Sequence, residues 1–141
     1  MIVDTGPLIA ALDRNDAHHA LAVAHLRRAR GRALVPDSVV VEVDIVARRW
    51  LGHQAARAFL DAITAGVHDR VVLDDSLWRR AVEIDAAHAE LGLGLVDASV
   101  MALAEERRLP VFTFDFRGFR AVRGPGRGGT WRLVVNESDL R

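Results

Sequence analysis

The sequence predicts an α/β fold, because short apolar runs alternate with longer segments of helical periodicity along its 141 residues. Five apolar runs are short enough to be strands: residues 1–4, 33–35, 71–73, 110–114 and 131–135. Strands separated by helices pair in parallel, with helices covering both faces of the sheet. We therefore expect a three-layer α/β/α arrangement around a mainly parallel sheet, within a single domain of residues 1–141.

Helical periodicity fills the intervals between these runs, and caps and breaks mark the helix ends. Asp37 or Ser38 is a suitable N-cap for a helix that Gly52 ends, and Asp74 begins another. Residues 123–129, rich in Gly and Arg, are expected to form a loop. The predicted helices cover about residues 7–12, 17–30, 37–51, 54–65, 76–88 and 96–108.

Four carboxylates stand where predicted strands end or predicted helices begin: Asp4, Glu42, Asp97 and Asp115. In an open parallel sheet the carboxyl ends of the strands gather at one edge, where such folds place their sites. Two carboxylates about 4 Å apart repel by roughly 4 kcal/mol at an effective dielectric near 20. A hard divalent cation among the oxygens relieves this repulsion. The sequence thus predicts a metal-dependent enzyme.

Helical spacing distinguishes two acids on the helix over residues 37–51. Glu42 borders the apolar stripe of that helix, so its carboxylate can point along the core edge towards the sheet. Asp44 lies on another side, one turn before Arg48, where an i,i+4 ion pair on the surface is expected. The stripe itself is predicted to comprise Val39, Val43, Val46 and Trp50.

Each acid of the set also has an ordinary structural interpretation. Asp4 is a possible cap for the helix after it, Asp97 a first-turn acid that complements the helix dipole, and Asp115 a turn residue. The six histidines show no paired spacing joined to acids, so a histidine zinc site is not favoured.

Composition excludes several kinds of chemistry. There is no Cys and, since all the basic residues other than His are Arg, no Lys. A disulfide, a thiolate zinc site, a cysteine nucleophile, a Schiff-base lysine and a P-loop are therefore excluded. Net charge is zero, so global electrostatics do not by themselves indicate a nucleic-acid partner. No run is apolar enough to span a bilayer and the first strand begins at Met1, so a cytoplasmic protein is expected.

Four stretches in this order resemble the PIN domain and, within it, the VapC-type toxins of bacterial toxin–antitoxin systems: residues 2–6, 36–43, 93–99 and 111–119. The resemblance covers essentially the whole chain. It implies a five-stranded parallel sheet of order 3-2-1-4-5 and a ribonuclease that depends on Mg²⁺, with Mn²⁺ as a substitute. Many relatives have a small hydroxyl residue at the position of Gly6. Because glycine has no side chain, this chain is expected to lack one hydrogen bond near the metal.

The resemblance also implies roles for individual residues. The four carboxylates fall on the family's acidic, catalytic positions, and we expect Asp4 and Asp97 to be the principal metal ligands. Thr5 and Thr113 are hydroxyls close to these acids and, with Arg117 in the segment after Asp115, are expected to bind substrate.

The expected partners are a structured RNA such as a tRNA or rRNA, a cognate VapB-type antitoxin, and a second copy of the chain in a homodimer. A different class remains open: a catalytically silent PIN-fold module that acts only by binding a partner protein.

Overall fold

Four parallel strands form the centre of the protein in a computed structural model that describes residues 1–141. The order in the sheet is β3-β2-β1-β4, and Ile2 in β1 lies opposite Leu34 in β2 and Val111 in β4. The strands are short: β1 (Ile2–Val3), β2 (Leu34–Pro36), β3 (Asp69–Val71) and β4 (Val111–Phe112).

Helices occupy the intervals between the strands and cover both sides of the sheet, which confirms the predicted fold class. Short 3₁₀ turns lie at Ala89–Leu91, Arg127–Gly129 and Glu137–Leu140. The helices are α1 (Thr5–Leu12), α2 (His19–Arg28), α3 (Asp37–Trp50), α4 (His53–Thr64), α5 (Asp75–Ala87), α6 (Gly94–Arg107) and α7 (Phe116–Ala121).

The predicted fifth strand, residues 131–135, is wrong as a strand. This segment lies beside β4, but the two join only through one parallel bridge between Val111 and Leu133. Hydrogen bonds of 2.8 Å run from Val111 N to Arg132 O and from Val134 N to Val111 O. Because β4 ends at Phe112, no longer ladder is available to the segment. The edge position matches the expected order, whereas the ladder is missing.

Helix α3 packs by a narrower stripe than its sequence predicts. Val39, Val43 and Ala47 are fully buried, at the i,i+4 spacing of a helix face against the core. Trp50, predicted to belong to this stripe, is instead 72% exposed. It is the last residue of α3, so its side chain extends past the covered part of the helix, with the Arg49 guanidinium 5.3 Å from the ring centre.

The core fixes the ends of the elements that carry the four acids. Ile2 and Val3 in β1 and Val111 and Phe112 in β4 have no exposed surface, and α6 is buried continuously over residues 98–104. A residue next to such a buried run has little freedom to move.

Among the helices, none is both long and apolar enough to cross a lipid bilayer.

Candidate acidic metal site

The four acids occupy the carboxyl edge of the sheet, as the sequence predicts. Asp4 follows β1 and Asp115 follows β4, while Glu42 lies in α3 and Asp97 in the first turn of α6. They lie close enough to perturb one another: the charges of Glu42 and Asp115 act on Asp4, and all three act on Asp97. The fold therefore gathers four negative side chains in one region.

Asp4 is the most deeply placed of the four, with only 5% of its surface exposed. Its Oδ1 accepts a hydrogen bond of 2.7 Å from Thr5 N, at the start of α1, and its Oδ2 accepts one of 2.7 Å from Thr113 Oγ1. Burial raises the pKa of this carboxyl and the two hydrogen bonds oppose the rise, while Glu42 and Asp115 add to it. Asp4 is thus both the N-cap of α1 and part of the acidic site.

Thr113 holds two of the carboxylate positions together. Its side chain is completely buried, and its hydroxyl donates to Asp4 Oδ2 while accepting a hydrogen bond of 2.9 Å from Asp115 N. A hydroxyl enclosed in this way is not accessible to a substrate, so the expected substrate contact of Thr113 does not fit the structure. Its position fits a residue that orients Asp4 and the backbone of Asp115.

Glu42 points to the site and Asp44 does not, as helical spacing predicts. Glu42 Oε2 accepts a short hydrogen bond from Thr5 Oγ1, which places it one residue from Asp4. Asp44 instead forms an ion pair with Arg48, with 2.8 Å between Oδ1 and Nη2. Thr5 remains partly exposed, so its predicted contact with substrate stays a prediction.

Asp97 is a strongly perturbed acid at the start of α6. Burial, followed by the charges of Asp4, Asp115 and Glu42, raises the pKa of this half-buried carboxyl from 3.8 to about 7. No hydrogen bond to Asp97 offsets these effects. In the absence of a cation, therefore, Asp97 is partly protonated near neutral pH.

Asp115 lies at the exposed side of the site, where α7 begins. Its Oδ1 accepts a hydrogen bond of 3.0 Å from Gly118 N, and so it caps a helix that the sequence did not predict. A cavity of about 320 Å³ opens here and is lined by Asp97, Asp115, Arg117 and residues 90–93, among others. The structure thus places Arg117 in the same cavity as Asp97 and Asp115, and its predicted contact with substrate stays a prediction.

The donors suit a hard divalent cation, although they do not form a closed cage. All four side chains offer carboxylate oxygens, the ligands that Mg²⁺ and Mn²⁺ prefer, and their repulsion supplies a reason to bind positive charge. As the side chains stand, no three Asp, Glu or His residues form a group that could hold an ion. Mg²⁺ commonly keeps several waters and uses only one or two carboxylates. The donor set therefore fits a hard divalent cation that keeps part of its water shell.

One pair of residues near the site was missed by reasoning from the sequence. Ser38 Oγ, at the start of α3, hydrogen-bonds the buried Ser99 Oγ, and Ser99 lies two residues after Asp97. This contact ties the helix of Glu42 to the helix of Asp97. A serine at the beginning of a helix resembles an ordinary cap, so the sequence gives no distinct signal for it.

A parallel sheet covered by helices, with mutually repelling carboxylates at the carboxyl ends of its strands, defines an α/β protein with an acidic site. Residues 1–125 match the PIN domain, and the chain belongs to the PIN domain family. This membership agrees with the resemblance noted in the sequence.

Similar proteins include several VapC proteins. Ribonuclease VapC26 of Mycobacterium tuberculosis is 27% identical over 135 residues, which are 95% of this chain and 99% of that protein. The solved structure of VapC20 from the same organism, described as a sarcin-ricin loop cleaving toxin, is 24% identical, with a TM-score of 0.77 over 85% of this chain and 93% of that one. DNA-bound VapBC from Salmonella typhimurium is 20% identical, with a TM-score of 0.68 over 92% and 93%. The two structural likenesses support the fold.

Proposed function

We propose that this chain is a metal-dependent endoribonuclease, the VapC-type toxin of a toxin–antitoxin pair. The observation that carries the proposal is the convergence of four carboxylates at one sheet edge, where burial, followed by the charges of the other three acids, raises the pKa of Asp97 to about 7. Uncompensated charge of this kind is a feature of sites that bind metal or act on protons. Membership of the PIN family and similarity to a protein named a ribonuclease support the same activity.

The proposed cofactor is Mg²⁺, with Mn²⁺ as a substitute, held principally by Asp4 and Asp97. PIN-domain VapC ribonucleases generally depend on a divalent metal. When bound, such an ion polarises a phosphate and lowers the pKa of a water molecule. Two hydrogen bonds hold the Asp4 carboxylate in place, so Asp4 would be the fixed ligand. Asp97 is free of such hydrogen bonds, so its carboxylate can adjust its position to the ion.

The remaining residues supply orientation and charge. Glu42 and Asp115 lie close enough to Asp4 and Asp97 for their charges to act on both, and they would orient the attacking water towards phosphorus. The water oxygen forms a bond to phosphorus, the bond from phosphorus to the 3′ oxygen breaks, and that oxygen takes up the proton that the water loses, which leaves a 5′-phosphate and a 3′-hydroxyl. Arg117 lines the cavity beside Asp97 and Asp115, where its guanidinium can hold the phosphate that is cut.

The proposed partner surface is the outer face of α3. Val41 and Ile45 are about 60% exposed and lie one turn apart, and the exposed Trp50 follows near the helix end. Exposed apolar residues at this spacing suit a partner chain. A VapB-type antitoxin or a second copy of the chain would cover these side chains. A catalytically silent binding module would need the same exposed surface for its partner. We expect the protein to act in the cytoplasm, and this location stays a prediction.

Cleavage of RNA by Asp97→Asn and Asp44→Asn variants tests the proposed activity. Both substitutions replace one carboxyl group by an amide of the same shape, but only Asp97 belongs to the acidic site. We expect Asp97→Asn to abolish Mg²⁺-dependent cleavage of total RNA and Asp44→Asn to leave it unchanged, with cut ends mapped as 5′-phosphates. Equal activity in the two variants would remove the mechanism, and no cleavage by the wild type would favour the silent binding module.

Thermal stability gives a second measurement of metal binding. A ligand at about 100 times its dissociation constant stabilises the protein that binds it by roughly 2.7 kcal/mol. We expect Mg²⁺ and Mn²⁺ to raise the melting temperature of the wild type and of Asp44→Asn, and to have little effect on Asp4→Asn or Asp97→Asn.

A further inference from the structure

Three cavities lie side by side along the amino edge of the sheet, opposite the acidic site. Their walls include residues that immediately precede strands: His68 before β3, Met1 before β1, and Leu109 and Pro110 before β4. Their volumes are about 320, 610 and 490 Å³. The order along the edge runs from the end of α2, past β1, to the loop before residue 133.

Each cavity carries two arginines, and the cavities adjoin one another. The turn after α2 separates the first two: Arg27 and Arg30 face the first, and Arg28 and Arg32 the second. The second and third cavities share Leu109 as a common wall. We call the whole set the arginine track, namely Arg27, Arg28, Arg30, Arg32, Arg108 and Arg132.

The charges of the arginine track are not neutralised within the chain. None of its six members forms an ion pair, although other arginines do so with Asp44, Asp37 or Glu105. Only two acids line the three cavities. Glu105 is already bound through both oxygens by Arg80, at 2.7 and 3.1 Å, so Asp69 alone is left. The chain is neutral overall, hence this edge is a local concentration of positive charge.

Helix stabilisation accounts for only part of the track. Arg27 and Arg28 complement the dipole at the end of α2, an effect of about 0.3–1 kcal/mol that fades within one turn. Arg108 has φ of +54°, a left-handed conformation where glycine is preferred, so an arginine there costs roughly 1 kcal/mol. Arg132 lies outside any helix. A row of free guanidinium groups suits a ligand with phosphates at regular intervals.

We propose that the arginine track binds the phosphate backbone of the RNA substrate at a distance from the cut. This inference rests on the proposed nuclease function. An edge with four carboxylates repels a polyanion such as RNA. Arg117 lines the cavity beside these acids, whereas no arginine of the track does, so the acidic edge needs help from positive charge elsewhere to hold RNA. The strands are so short that Met1 and Asp4, at the two edges, are separated by roughly 10 Å of extended backbone. A folded RNA can therefore contact both edges, whereas a short strand at the acids cannot.

Binding of RNA as a function of salt tests the track directly. The test variant carries Arg27→Gln, Arg28→Gln and Arg108→Gln, one substitution from each cavity. The charge-matched control carries Arg49→Gln, Arg57→Gln and Arg79→Gln, at exposed residues outside all three cavities. Each set is placed on the Asp97→Asn background, so that a transfer RNA pool is bound without being cut, and melting curves verify folding.

The track variant should lose salt dependence that the control retains. Three fewer phosphate contacts lower the slope of log K against log salt by about 2, so that between about 50 and 200 mM salt the control loses roughly 20-fold more affinity than the track variant. In proteins with Asp97 intact, the ratio of cleavage of total RNA to cleavage of a random ten-nucleotide pool should fall in the track variant only.

Several outcomes would overturn the inference. Equal slopes for the track variant and the control would show that the arginines do not contact RNA, while cleavage by the wild type would leave the proposed function intact. Track-dependent binding of phosphatidylserine vesicles with unchanged RNA binding would assign the surface to a membrane instead. Track-dependent RNA binding without any cleavage would support the track and reject the nuclease.

Discussion

Replacing Asp97 by Asn should stabilise the metal-free protein at about pH 8 and have little effect at about pH 4. The pKa of the Asp97 carboxyl is about 7 in the folded protein and ordinarily 3.8. Between these values the folded protein binds more protons than the unfolded chain, so stability falls as pH rises. The stability that the protonated Asp97 carboxyl contributes is fully present below pH 3.8, its pKa in the unfolded chain. It is lost as the pH rises towards 7 and is absent above that value. Asn cannot ionise and avoids the loss.

The expected size follows from the pKa values and the exposure of the side chain. A change from 3.8 to about 7 corresponds to roughly 4 kcal/mol if the group is fully shielded from solvent. Asp97 is only half-buried, and water screens its interaction with the other three acids. We therefore expect Asp97→Asn to raise the free energy of unfolding by about 1–2 kcal/mol at the higher pH.

Urea unfolding in the presence of a chelator measures this difference, taken as variant minus wild type at each pH. The subtraction matters because His68 acts in the opposite direction. Burial and the charge of Arg30 lower its pKa from 6.5, so its contribution to stability increases as pH rises through this range. His68 is present in both proteins and cancels. A difference that is equal at both pH values, or that favours the wild type at pH 8, would refute the electrostatic account of the site.

Three further substitutions test separate parts of the structure. Thr113→Val keeps the shape but removes the hydroxyl between two carboxylates, and should cost about 1–3 kcal/mol in urea unfolding and most of the cleavage activity, while Thr113→Ser retains both. Gly118→Ala, a change that usually stabilises a helix by about 0.5–1 kcal/mol, places a methyl group against the Asp115 carboxylate, so we expect lower activity without that gain in melting temperature. Trp50→Ala should change stability by less than about 1 kcal/mol, against about 3–5 kcal/mol for the buried Phe59→Ala; a large loss at Trp50 would contradict its exposed position.

The sequence was sufficient for the fold class and for the grouping of the acids, because both follow from regular geometry. Parallel strands share one direction, so the residues that follow β1 and β4 must meet at one edge. The 3.6-residue period of a helix likewise separates Glu42 from Asp44, and the ion pair of Asp44 with Arg48 confirms that separation.

Features set by neighbours rather than by local pattern could not be predicted. Residues 131–135 are apolar enough for a strand, yet a strand also needs a partner, and β4 has only two residues to offer. Trp50 fits the apolar stripe of α3 but lies beyond the surface that covers that stripe. Burial of Thr113 depends on the packing around it, so its change from a predicted substrate contact to an orienting residue is visible only in three dimensions.

The double use of Asp4 sets an order in which this protein can change over evolutionary time. Its carboxylate begins α1 and is anchored to Thr113, so its loss would harm folding as well as chemistry. Asp97 has no such structural role, and its replacement by Asn is expected to raise the stability of the metal-free protein. In a descendant that no longer needed to cleave RNA, we therefore expect Asp97 to be substituted early and Asp4 to be retained for folding.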